Sequence, residues 1–250
     1  MTRKPPRWPR LGALAAAVAC LLIGGWWLTQ ALHLWADYRT GTGERRTITL
    51  ADGSTIELNT QSALSVELSS DRRRMTLHEG EAFFIVAPDA HRPFDVEAGS
   101  GIVQALGTAF NVHLEAGRVS VTVLEHAVRV TTSQHGTAEV SEGGHLSYGM
   151  DGRLGVVEQV DLGRALAWRR HRVVFENQPI AAVAAELNRY RPGWILLRDP
   201  ALSTLTITGV FDTRDPDRAL QAIQESLPVR LVRVTDQVVL LYRDGQARKK

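Results

Sequence analysis

The chain reads as one membrane-spanning helix, then an all-β domain, then a small α/β domain built from a duplicated β-α-β unit. Three observations predict that order. Residues 11–28 run for eighteen positions without a charge, apolar and polar residues alternate from Arg45 to about Val157, and strands separated by helical spacing follow. Crossing hydrocarbon takes about twenty apolar residues. The first run extends through Thr29, Gln30 and His33 to Trp35, so the expected helix covers 11–35. Arg3, Lys4, Arg7 and Arg10 precede it with no acidic residue, whereas Asp37 and Arg39 follow and cancel. That asymmetry predicts a cytoplasmic tail at 1–10 and the bulk of the chain outside. A cleaved signal peptide would need a shorter apolar core and a small-x-small site. Thr29-Gln30-Ala31 and Leu34-Trp35-Ala36 are poor sites, and Cys20 is followed by Leu21, Leu22 and Ile23 where a lipoprotein would turn polar. An uncleaved anchor is the preferred reading.

Composition narrows the remainder. Cys20 is the single cysteine, so the 214 residues from Asp37 onward hold no disulfide framework and must be stabilised by packed cores. The net charge of +2 splits as +4 in residues 1–10 and −2 in the rest, which leaves no electrostatic case for nucleic acid.

Residues 36–44 read as a short flexible stalk, and 45–157 as the all-β domain, either a sandwich or a β-solenoid. Ile48 and Leu50 alternate with Thr47 and Thr49, Asp52-Gly53 turns the chain, and Ile56 and Leu58 resume the alternation. The same period-two pattern returns at Leu64, Val66 and Leu68, at Phe110, Val112 and Leu114, and at Val119, Val121 and Val123. Residues 158–170 form a bridge. In 171–243 the spacing predicts a strand at Val173–Phe175, a helix from Pro179, a strand at Ile195–Leu197, and then a repeat. The repeat is a strand at Leu205–Phe211, a helix from Asp215-Pro216, and strands at Val229–Val234 and Val238–Leu241. Residues 244–250 are a basic tail.

Four ordered strings carry a resemblance: Leu50–Asn59, Gly80–Phe84, Pro93–Val96 and Ala105–Val112. With Trp168, Phe175 and Leu187–Tyr190, they resemble the FecR family, inner-membrane regulators of sigma factors in cell-surface signalling for iron uptake. The family motif residues here are Asp52, Gly53, Ser54, Asn59, Gly80, Glu81, Phe83, Trp168, Asn188 and Tyr190. The C-terminal part is similar to the short signalling domain of secretins and TonB-dependent receptors. The resemblance implies a relay in which the periplasmic signalling domain of an outer-membrane TonB-dependent siderophore receptor contacts the C-terminal half of a single-pass regulator. The regulator then controls an extracytoplasmic-function sigma factor. Family members usually carry several tens of cytoplasmic residues that bind the sigma factor, and only ten precede the apolar run here. Either the start lies upstream, or the sigma-binding part is another chain, or this protein senses without holding a sigma factor.

A small sheet with an exposed edge offers unpaired N–H and C=O groups to a partner strand. Leu205, Ile207, Val210 and Phe211, with Val229 and Leu231, are the candidate partner residues, the alternative being that both strands are interior. Gly107-Thr108 is a candidate self-cleavage pair, in which the hydroxyl attacks the preceding carbonyl with His113 or His145 as base; a glycine turn before a strand-starting threonine is the preferred reading. Self-cleavage apart, no enzyme activity is expected. The histidines show no ligand spacing, so no metal or cofactor is expected. Trp168 falls between the domains, where packing across their interface is its expected role. A second functional class fits the same sequence: a non-signalling periplasmic scaffold docked on a secretin or receptor.

Overall fold

The computed structural model describes residues 36–134 and 136–244. The N-terminal unit contains β1 (Tyr38–Arg39), β2 (Arg46–Thr49), β3 (Thr55–Leu58), β4 (Ala63–Leu68), β5 (Arg73–Ile85), β6 (Phe94–Ala98) and β7 (Gly101–Ala105). It continues with β8 (Ala109–Glu115), β9 (Arg118–Glu125), β10 (Ala127–Thr132), β11 (Gly136–Ser141), β12 (Gly144–Gly149) and β13 (Glu158–Gln159). One sheet runs β11-β10-β7-β6-β5-β4-β1, the other β2-β3-β5-β8-β9-β12-β13, so β5 belongs to both. Its first part, Arg73–Glu79, pairs with β4 and β6; Gly80–Ile85 pairs with β3 and β8. The strand changes sheets at Gly80, whose φ of +80° suits glycine and where a Cβ would collide with Ser62 and the Gln61 carbonyl.

Period-two alternation places Met75, Val96 and Val103 of the first sheet against Ile56, Phe84, Val112 and Val121 of the second, all fully buried in one core. Phe84 stacks on Phe110 at 5.2 Å and meets Phe94 edge-on at 5.8 Å. Neighbouring strands are antiparallel except β5 and β6. A solenoid needs parallel coils, so of the two open alternatives the sandwich-like arrangement is the one present.

The C-terminal unit comprises β14 (Arg172–Pro179), α2 (Ile180–Tyr190), β15 (Trp194–Leu197), β16 (Thr206–Asp212), α3 (Pro216–Ser226), β17 (Val229–Arg233) and β18 (Val238–Arg243). Asp215 accepts from Arg218 N–H at 3.0 Å and caps α3, with Pro216 in its first turn. Ile180, Val183, Ala184 and Leu187 of α2, with Ala219, Leu220 and Ile223 of α3, share a core with inward residues of both small sheets. The short helix α1 (Leu162–Ala165) and a 3-10 turn at Ala167–Arg170 connect the two units.

The expected fold class is corrected in three respects. The described chain is mostly β, half of it strand, with three helices, and no helix among the described residues is long and apolar enough to cross a membrane; the expected span 11–35 lies outside the described residues. The duplicated β-α-β order is present, but neither copy closes its own sheet. The two leading strands pair antiparallel with each other, β14 with β16, while β15 and β17 flank β18 in a second sheet. Each helix then packs against strands of both small sheets. Finally, the expected flexible stalk is ordered: β1 pairs with β4, Asp37 accepts from Val66 N–H at 2.8 Å, and Thr40 is buried.

Candidate functional site: a buried polar seam between the units

The inward face of the second sheet is apolar, and its outward face is not bare. Alternation directs Glu57, Glu81, Phe83, Ala109 and Asn111 outward, where the 162–171 bridge and the end of α2 cover them. Trp168 packs with Phe83, Ala109 and Leu166, and the Arg45 guanidinium lies 5.2 Å from the Trp168 ring centre. Arg169 sits 3.7 Å over the Phe83 ring and donates twice to Glu57, at 2.9 and 2.7 Å. The fork geometry suits a carboxylate, and the aromatic face accepts the same cation.

Beside this lies a polar cluster centred on Glu81, 5 % exposed. Its carboxylate accepts from Asn59 Nδ2 at 2.7 Å, Asn111 Nδ2 at 2.9 Å and Arg189 Nη2 at 3.1 Å. Arg189 also donates to Glu186, Asn59 Nδ2 donates to the Tyr190 hydroxyl at 2.9 Å, and Thr60 Oγ1 donates to the Arg189 carbonyl at 2.7 Å. Burial works against the charge on Glu81, yet His113, Arg189 and the two amides together hold its carboxyl below the ordinary range. Burial pushes the Glu186 carboxyl upward, Arg189 only partly offsetting it. Burial likewise pushes the Tyr190 phenol upward, so it stays neutral.

The seam reaches the ordered N-terminal segment. Gly43 N–H donates to Thr60 Oγ1 at 2.8 Å, and a Cβ on Gly43 would lie 3.1 Å from the Tyr190 carbonyl oxygen. Thr60 therefore ties residues 41–43 to the C-terminal turn of α2. An adjoining cleft of about 440 Å³ is lined by Glu81, His113, Trp168, Phe175, Glu186 and Arg189 among others.

The structure divides the motif residues. Asn59, Glu81, Phe83, Trp168 and Tyr190 converge on the seam. Asp52, Gly53 and Ser54 lie elsewhere: Asp52 accepts from Ser54 N–H and Oγ at 3.0 and 2.7 Å and from the buried Arg73 at 3.0 Å. Arg73 also holds the carbonyls of Ala87 and Arg92, both at 2.8 Å, so this cluster fixes the 87–92 loop. Gly53, at φ +86°, makes the turn. Asn188 spans α2 and β15, its Oδ1 accepting from Ile195 N–H at 2.8 Å.

The six expected partner residues do not form one surface. Ile207 and Val229 are core; Leu205, which precedes β16, is half-buried, as are Phe211 and Leu231, and Phe211 lies 5.8 Å from Phe175. Only Val210 is well exposed, at 57 %. Arg45, Glu57, Arg169 and Arg189 escaped sequence reasoning, because charged residues on strands and helices normally mark a solvated face. Only Glu57 carried a signal, its outward position on a strand whose inward residues Ile56 and Leu58 are apolar.

Gly107 adopts φ +144°, and the hydroxyl of Thr108, itself 6 % exposed, is buried without a hydrogen-bond partner. Neither His113 nor His145 is placed to act on it as a base: His145 Nδ1 pairs with Thr122 Oγ1 at 2.8 Å, and His113 lies five residues along the strand, roughly 17 Å away at strand rise. No group of three or more potential metal ligands occurs among the described residues.

The sequence profile of the family described as "FecR protein" matches residues 36–129. No curated protein matches the chain. Two crystal structures of a "putative anti-sigma factor" from Parabacteroides distasonis ATCC 8503 are similar to it. One has a TM-score of 0.70 at 27 % identity, covering 82 % of this chain and 98 % of its own. The other has a TM-score of 0.69 at 28 % identity, covering 82 % and 97 %. The matched segment contains Asn59, Glu81 and Phe83, the β-unit half of the seam, and residues 36–129 are accordingly a FecR-family domain.

Proposed function

We propose that this chain is a FecR-type regulator of a sigma factor, with the described units in the periplasm at the inner membrane, relaying a signal from the signalling domain of an outer-membrane TonB-dependent receptor. The observation that carries the reading is the seam. FecR-family residues Asn59, Glu81 and Phe83 are used to hold a separate α/β unit and, through Thr60, the segment leading to the N-terminus. A protein that only docked a partner would not need that coupling; a relay does. The likeness to anti-sigma factor structures over most of the chain supports the same reading. Deleting the gene and measuring transcription genome-wide with and without iron starvation tests it. One co-regulated set that includes a TonB-dependent receptor should become unresponsive or constitutively expressed, and restoring the full chain should reverse this. An unchanged transcriptome would overturn it.

A second reading, self-cleavage at Gly107-Thr108, is favoured by the left-handed glycine and the unpartnered buried hydroxyl. Thr108 Oγ would attack the Gly107 carbonyl carbon, the amide C–N bond would break with the hydroxyl proton passing to the Thr108 nitrogen, and water would hydrolyse the ester. The products are a Gly107 carboxylate and a free Thr108 amine. Intact mass of the full chain should show two fragments, retained in Thr108→Ser and absent in Thr108→Ala. A single intact mass in the unaltered protein would overturn it.

A further inference from the structure

The three-stranded sheet of the α/β unit is apolar on both faces. Ile195, Val229, Val239 and Leu241 are buried inward against the helices. The outward residues align in three rungs. Trp194 pairs with Val238, whose carbonyl accepts from Val234 N–H; Leu196 pairs with Leu240, which pairs with Val232; and Tyr242 lies between Arg230 and Arg198. Trp194 is 60 % exposed, Val234 59 %, Leu196 41 % and Tyr242 37 %. No part of the described chain covers this face. Arg198 and Arg230 are exposed, and neither makes an ion pair among the described residues. Two apolar rungs thus end in an Arg-Tyr-Arg rung, with its arginines two strand spacings, about 10 Å, apart.

We propose that this face, rather than the β16 edge, docks the receptor's signalling domain, and that the docked patch is apolar with two carboxylates about 10 Å apart, placed over Arg198 and Arg230. The inference rests on the receptor relay proposed above and specifies its contact surface. Charge selects this occupant over the alternatives on the page. A second copy packed face to face with its strands running the same way would bring four arginines together without a carboxylate. The chain's own residues 245–250, Gly-Gln-Ala-Arg-Lys-Lys, follow β18 but are purely basic. An apolar protein patch with an acidic margin satisfies all three rungs.

The full-length chain, produced in its own cells with p-benzoylphenylalanine at Trp194, Tyr242 or Val210, tests this by photo-crosslinking with adducts identified by mass spectrometry. Both aromatic positions are exposed, so the replacement leaves the core intact. Receptor adducts at Trp194 and Tyr242 but not at Val210 are expected, with the Trp194 adduct falling about tenfold or more when Arg198→Glu and Arg230→Glu are combined. Receptor adducts at Val210 alone would overturn the surface and leave the relay standing. An unchanged Trp194 yield in the double reversal would overturn the acidic patch. Adducts with a second copy or with lipid would overturn the assignment of the occupant. Absence of receptor adducts at all three positions would overturn the relay itself and this inference with it.

Discussion

Glu81 shows how one side chain holds two units together. Three donors from three separate elements meet its carboxylate, two amides of the β unit and the guanidinium of α2. Glu81→Gln keeps the shape and loses the charge-assisted bonds, and should cost about 2–3 kcal/mol in urea unfolding of the full chain. Its pH dependence has a definite sign. A carboxyl held below its unfolded value contributes stability that is fully present above about pH 4.3 and is lost as pH falls through the depressed folded value. Unfolding of the native protein below pH 4.3 should therefore steepen relative to Glu81→Gln, which lacks that contribution; parallel profiles would contradict the assigned charge. Sequence alone brought Glu81 forward only as part of Gly80–Phe84, because its partners are 22, 30 and 108 residues away. Such a cluster has no local spacing to read. Asp52-Gly53-Ser54 was legible, since its bonds close within two residues.

At the scale of elements, β5 organises the β unit, and Gly80 is where it passes from one sheet to the other. Gly80→Ala should destabilise the full chain by about 3 kcal/mol or more, since both the positive φ and the contact with Ser62 exclude a Cβ. Urea midpoints measure it, and a change under 1 kcal/mol would show that the bend relocates easily. Strand alternation around Ile56, Val112 and Val121 was readable, because one buried face imposes period two. The sharing of β5 was not: its core-facing residues shift from Met75 and Leu77 to Ala82 and Phe84 across Gly80, and a change of parity does not say which strands pair on either side. The helices from Pro179 and from Asp215-Pro216 were legible by proline placement and apolar spacing, whereas their packing against both small sheets depends on pairings that periodicity does not encode. Val238–Tyr242 carried a readable hint: a strand apolar at every position needs cover on both sides, and here one side is open.

Across the whole molecule, the seam joins the β unit, the bridge, α2 and residues 41–43 into one body. Arg169 with Glu57 and Arg189 with Glu81 are the charged links, and Trp168 supplies the apolar contact. Removing one partner of a buried pair leaves the other uncompensated, typically at about 3–5 kcal/mol. Arg189→Ala should therefore split thermal unfolding of the full chain into two calorimetric transitions, with the α/β unit melting first; a single transition would show that the units are coupled through Trp168 and Arg169 alone. The N-terminal segment that reads as a stalk from Gly41, Thr42 and Gly43 is held because its backbone completes β4 and meets Thr60, contacts invisible in a glycine-rich stretch. The central claim is that α2 and residues 38–45 are coupled through the seam. Hydrogen exchange on the full-length chain, comparing Arg189→Ala with the unaltered protein, tests this most directly. Coupling predicts faster exchange at 186–191 and at 38–45 together. Faster exchange confined to 186–191, with 38–45 unchanged, would contradict it.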